Sequence, residues 1–149
     1  MERIRRQIEE IDNSLVRERE VIAILIKYLK ENGWKVKEEV KTNGGSIDIV
    51  AEKEGKILLI EAKGEDKGGY TSAEMNFQIG LGQLMSRMRY RSAEYGVAFP
   101  LTRDFIKVLQ KYKGSFAFEK LGIYLLTVKM DGTCCIISPS DVLKFLDNI

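Results

Sequence analysis

The 149 residues predict one α/β domain with a mixed central sheet flanked by helices. Three observations carry that expectation: a helical ladder of apolar residues near the N-terminus, a tight group of strand-like runs after it, and a second half in which helical and strand patterns alternate. The length is about one domain's worth, and no linker or internal repeat divides it. A hydrophobic fraction of 44 % supplies a core, which excludes a disordered tail or a disulfide-stapled miniprotein.

Ile4, Ile8, Ile11 and Leu15, then Ile22, Leu25 and Leu29, recur at helical spacing. Asp12-Asn13-Ser14 offers a cap that divides the ladder, leaving residues 1–12 as a helical extension. Asn32-Gly33 stops the helix, and Trp34 to Val40 alternates as a first strand. Two further strand runs, Ile47 to Glu52 and Ile57 to Lys63, flank a turn at Lys53-Glu54-Gly55-Lys56 and read as a hairpin. A Gly-rich polar loop from Gly64 to Tyr70 precedes a helix from about Ser72 to Arg91, in which Gly80 and Gly82 call for close backbone packing. Glu94 to Pro100 is a fourth strand, and Thr102 caps a helix reaching Tyr112. Gly122 to Val128 and Cys134 to Ile137 are strands joined by Asp131-Gly132, and a short helix follows Pro139-Ser140.

The chain contains no histidine, which excludes Ser-His and Cys-His nucleophile pairs, HExxH zinc proteases and every His-ligated metal site. Chemistry falls to carboxylates, Lys, Arg, Tyr or Gln. With 24 basic and 22 acidic residues the net charge is +2, so any nucleic-acid surface must be local. Adjacent Cys134 and Cys135 point to opposite faces of a strand and do not make a disulfide framework. The charged opening Met1-Glu2-Arg3-Ile4-Arg5-Arg6 has no apolar leader region and no run is long enough to span a membrane, so the expected compartment is the cytoplasm. Gly80-x-Gly82 follows no strand and lacks a third glycine, so no nucleotide cofactor is expected.

The hairpin carries the strongest chemical signal. With the turn at Glu54-Gly55, paired positions sum to 109, which sets Asp48 opposite Glu61, and alternation puts Lys63 on the same face. Opposed like charges repel, so a covered pair of this kind needs a compensating cation, and a divalent metal is the natural one. An exposed hairpin face merely solvated by water is the competing reading, and a loop of three or five residues would separate the two acids. Glu18 stands at the missing rung of the apolar ladder. On a continuous helix it lies on the inward stripe, where a carboxylate needs a partner or a metal; a helix break would turn it to solvent.

Together these residues resemble the PD-(D/E)xK nuclease superfamily, which has a helix glutamate, a strand aspartate and an E-x-K strand. The segments Glu18-Arg19-Glu20, Gly33-Trp34, Ile47-Asp48-Ile49-Val50-Ala51 and Ile60-Glu61-Ala62-Lys63 are most similar to archaeal-type Holliday junction resolvases over residues 1–64, with Ile47 in place of the nominal proline. Further on, Leu81-Gly82-Gln83-Leu84 and Tyr95-Gly96-Val97-Ala98-Phe99-Pro100 resemble small relatives such as excision-controlling factors.

The resemblance implies a restriction-endonuclease-like αβββαβ core, phosphodiester hydrolysis in DNA, and Mg²⁺ or Mn²⁺ held by Asp48, Glu61 and the carbonyl of Ala62, with Glu18 in support. Lys63 would handle the attacking water. Gln83 matches the glutamine that approaches the metal in many members, with Gln78 in reserve. Arg87, Arg89 and Arg91, around Tyr90, are candidates for phosphate contact, although spacings of two do not share a helix face. The loop from Gly64 to Tyr70, with Lys67, suits a mobile flap at the cleft mouth or an ordinary connection. The stripe Ile4, Ile8, Ile11, Leu15 is expected to pack on its own domain or a second subunit, and a homodimer would suit two-strand cutting.

Overall fold

The computed structural model describes residues 15–149. The expected helical extension over residues 1–12 and its interface lie outside the described residues. The elements run α1 (Glu18–Glu31), β1 (Lys35–Thr42), β2 (Gly45–Lys53), β3 (Lys56–Ala62), α2 (Gly69–Arg87), β4 (Glu94–Pro100), α3 (Arg103–Gln110), α4 (Ala117–Leu121), β5 (Ile123–Val128), β6 (Cys134–Ile137) and α5 (Pro139–Asp147). The strands form one six-stranded sheet in the order β1-β2-β3-β4-β5-β6. It is mixed: β1, β2 and β3 pair antiparallel, β3, β4 and β5 pair parallel, and β6 returns antiparallel to β5. The expected α/β class with a mixed sheet and flanking helices is what the chain adopts.

The reason lies in burial. Every residue of β5 is buried, and β3 and β4 are nearly so, as strands covered on both faces must be. One face carries α1 through Val21, Leu25 and Leu29, packed with Ile49, Ala51, Leu58, Ile60 and Leu126. The other carries α2, α3 and α5 around Phe77, Phe99, Phe105, Leu109 and Phe145. Among the described residues no helix is long and apolar enough to cross a membrane. Cys134 and Cys135 are buried and not joined to each other.

The β2–β3 hairpin closes on Lys53 opposite Lys56, with Glu54 at φ 51° and Gly55 at φ 80°, the two positive φ values of a two-residue turn. Ile49 pairs with Ile60 and Val50 with Leu59, the register in which positions sum to 109.

Three boundaries differ from the sequence reading. Leu15 to Arg17 are not helical and α1 starts at Glu18, so the apolar ladder is not one continuous helix and Glu18, in phase with Val21, Leu25 and Leu29, stands half exposed at a helix N-terminus. Helix α2 ends at Arg87, which leaves Arg89 and Arg91 in the turn that follows. Helix α4, capped by Gly122 at φ 68°, has no counterpart in the sequence reading because five residues show no periodicity.

Candidate active site

Asp48, Glu61 and Lys63 converge at the end of the hairpin. Asp48 Oδ2 accepts a 2.8 Å hydrogen bond from the Ala62 backbone N–H, which fixes its carboxylate across the strand pair. Strand β2 turns about this residue. Ile47 packs in the α2-side cluster and Ile49 in the α1-side cluster, although side chains two apart in a regular strand share a face. The β1–β2 ladder skips this one position, between Glu38–Ile49 and Val40–Ile47, where Glu39 stands at φ 47° on β1, and the β2–β3 ladder ends at Ile49–Ile60.

The Glu61 side chain is 4 % exposed and lies within hydrogen-bonding reach of Asp48. Burial, then the Asp48 charge and the bond to Asp48, push its carboxyl up to about 8, only partly opposed by Arg87 and Lys63. Its Oε1 has no hydrogen-bond donor, while Arg87 Nε stands 3.3 Å away and gives its proton to Ser46 O at 3.0 Å. This is an ion pair without hydrogen-bond geometry.

Lys63 lies across α2. A Cβ on Gly80 would come within 2.8 Å of Lys63 Cγ, so the glycine that weakens the helix makes room for the lysine stem. Gly82, which was expected to share that role, has nothing within 4 Å. Lys63 Nζ reaches Glu18 Oε1 at 3.5 Å, with Glu18 half exposed. Glu18 is therefore brought to the lysine and not to the acid pair. Among the described residues no three His, Cys, Asp or Glu side chains stand close enough to hold a metal ion. The buried Glu61 carboxyl, its proton affinity raised beside Asp48 and its Oε1 without a hydrogen-bond donor, nevertheless fits a hard divalent cation, and the all-oxygen donor set disfavours zinc.

The remaining expected residues separate. Gln83 has a buried Oε1 without a partner, whereas Gln78 is exposed. Arg87 is not an outward phosphate contact: it is 17 % exposed and held by Glu61, Ser46 O, Gln83 O at 3.3 Å and Ser86 Oγ at 2.6 Å. Arg89, Arg91 and Lys67 are exposed.

The loop after Lys63 is not a free flap over its first residues. The Gly64 carbonyl accepts from Asn76 Nδ2 at 3.0 Å, and a Cβ on Gly64 would collide with the backbone of Arg17 and Glu18. Glu65 N donates to Val16 O at 2.7 Å, and Glu65 Oε1 accepts from Val16 N at 3.2 Å. This clasp ties the start of α1 to the end of β3. The sequence reading missed Val16, Glu65 and Asn76; an acid after a glycine carries no local signal of a partner 49 residues away.

No protein-family model matches the chain, and no curated protein was found to match it.

Proposed function

We propose that the protein is a metal-dependent DNA endonuclease of the PD-(D/E)xK kind, using Mg²⁺ with Mn²⁺ as substitute. The observation that carries this reading is the half-buried Asp48 beside the buried Glu61, whose Oε1 has no hydrogen-bond donor, with Lys63 two residues on. Asp48, Glu61 and the Ala62 carbonyl hold the ion. When bound, it polarises the phosphate and lowers the pKa of a coordinated water. Lys63, its stem seated on Gly80, orients that water and steadies developing negative charge. Glu18 positions Lys63, and Gln83 offers its amide beside the site. Exposed Arg89, Arg91 and Lys67 supply phosphate contacts, and the working form is a cytoplasmic homodimer.

One observation favours a second reading, a non-catalytic DNA-binding or recombination-regulating protein on the same fold: no third acidic side chain joins the pair among the described residues. Calorimetric Mn²⁺ titration followed by cleavage assays on duplex, single-stranded, flapped and four-way DNA separates the two. The nuclease reading expects metal binding, cleavage of at least one substrate, and a loss of about 10²-fold or more in Asp48→Asn and Lys63→Ala. Failure of the wild type to bind the ion or cut any substrate leaves the second reading standing.

A further inference from the structure

An open cleft of about 760 Å³ lies away from the acid pair, around the turn after α2 and the starts of β4, β5 and α5. That volume is in the range of ligand sites, about 300–1,000 Å³. Arg89, Tyr90 and Arg91 form one wall. The wall is held rigidly from below. The buried Tyr95 hydroxyl accepts from Tyr90 N at 2.9 Å and donates to Tyr90 O at 3.1 Å, so one side chain satisfies both backbone groups of a single residue. Arg89 Nε is tied to Ser86 O at 3.1 Å while the residue stays exposed. The Tyr90 ring is 42 % exposed although its backbone is fixed. A large aromatic held outward in this way, between two exposed cations, offers a face for stacking with charge beside it.

The charge of the cleft is net positive. Its acid, Glu94, is paired with Lys56 Nζ at 3.1 Å, and that ammonium also sits 4.9 Å from the Tyr124 ring centroid, so Arg89 and Arg91 are uncompensated by it. The cleft also connects to the acid pair through the chain itself. Arg87 touches Glu61, and two residues later Arg89 enters the cleft wall. Leu58, three residues before Glu61, pairs with Glu94 of the cleft; at about 3.3 Å per residue the two places are about 10 Å apart along β3.

We infer that this cleft holds an unpaired segment of the DNA substrate, one base stacked on Tyr90 and the flanking phosphates on Arg89 and Arg91. A duplex buries its base faces in its own stack, whereas a single strand offers them to an aromatic side chain, and such stacking tolerates any sequence. A preorganised wall lowers the cost of ordering on binding. The inference rests on the nuclease reading for its substrate, yet its residues are distinct from Asp48, Glu61 and Lys63.

The test is fluorescence anisotropy of a 5′-labelled dT12 oligonucleotide in EDTA, where no metal-dependent cutting contributes. The wild type is expected to bind with an affinity that falls steeply with salt. Tyr90→Leu and Arg91→Gln should each weaken binding by about five-fold or more, while Tyr90→Phe keeps it, because the Tyr95 clamp uses only the Tyr90 backbone. Unchanged dT12 affinity in Tyr90→Leu and Arg91→Gln overturns the inference, as does a wild type that binds and cuts duplex but not dT12. Neither result touches the acid pair. The converse, Tyr90-dependent binding of dT12 with no metal-dependent cleavage of any DNA, supports the cleft and removes the nuclease reading.

Discussion

Helix α2 buries two kinds of neighbour on adjoining strips of its surface. Through Ala73, Phe77 and Leu84 it meets an aromatic core, where Phe77 sits edge-on to Phe99 at 5.5 Å and to Tyr112 at 5.4 Å, and Phe99 stacks on Phe105 at 5.7 Å. Through Gly80 and Arg87 it meets Lys63 and Glu61, where two acids lie together and an acceptor is left unpaired. The first strip stabilises the fold with contacts that any apolar side chain of the right volume could approximate. The second opposes the fold, so it is retained for something other than stability.

The sharpest way to break the comparison is to weaken each strip and compare the consequences. Phe77→Ala removes the centre of the aromatic strip and should cost about 3–5 kcal/mol, a fall in Tm on the order of 10 °C for a chain of this size. Thermal unfolding checks it; a drop under about 3 °C, equivalent to about 1 kcal/mol, would mean that the core closes over the loss. The next effect is smaller and sits at the clasp. Gly64→Ala forces a methyl into the backbone of Arg17 and Glu18, an overpacking cost of about 1–3 kcal/mol. Denaturant midpoints measure that cost. Hydrogen exchange at Val16 and Glu65 N–H should report faster opening there than in β4, and equal slowing or equal rates at both places would detach Gly64 from the clasp.

How much of each strip is legible in the sequence follows from how local its signal is. The Asp48–Glu61–Lys63 set could be read because a two-residue turn fixes hairpin register, and register decides which side chains share a face. Phe77 and Leu84 could be read from helical spacing. Glu18 was picked out by a gap in a periodic pattern, but the helix breaks just before it, so its contact with Lys63 arises from a chain end meeting a strand end. Arg87 is the plainest failure. Its sequence neighbours Arg89 and Arg91 suggested a basic cluster for phosphate contact or a solvated helix end, and only the packing of α2 across β2 and β3 turns its guanidinium to Glu61. The Val16–Glu65 and Tyr90–Tyr95 clamps involve backbone groups, which no side-chain pattern announces.

A third prediction concerns pH. Glu61 holds its proton to about pH 8 in the fold and to about its ordinary 4.5 when unfolded, so the folded state binds more protons between those values. Stability of the metal-free protein should therefore be greatest below about pH 4.5 as far as this group is concerned, and should decline as pH rises toward 8. Glu61→Gln removes the titration. The Tm of the variant relative to wild type, measured in EDTA, should rise between pH 5 and pH 8.5 by at least about 3 °C, equivalent to about 1 kcal/mol. A constant difference across that range would mean that burial does not raise the Glu61 carboxyl in the fold.

The smallest effect distinguishes two roles for Glu18. It is half exposed and 3.5 Å from Lys63 Nζ, and it also lies in the first turn of α1, where a negative charge complements the helix dipole. Each contribution is about 0.3–1 kcal/mol, so Glu18→Gln should lower Tm by only about 1–4 °C. Its consequence for cleavage depends on which neighbour matters. If Glu18 positions Lys63, the variant loses activity several-fold while Mn²⁺ affinity measured by calorimetry stays at the wild-type value. If Glu18 is itself a metal ligand, Mn²⁺ affinity falls along with activity. The observed separation of Glu18 from the acid pair requires the first result, and a fall in Mn²⁺ affinity of ten-fold or more would move Glu18 from the lysine to the ion.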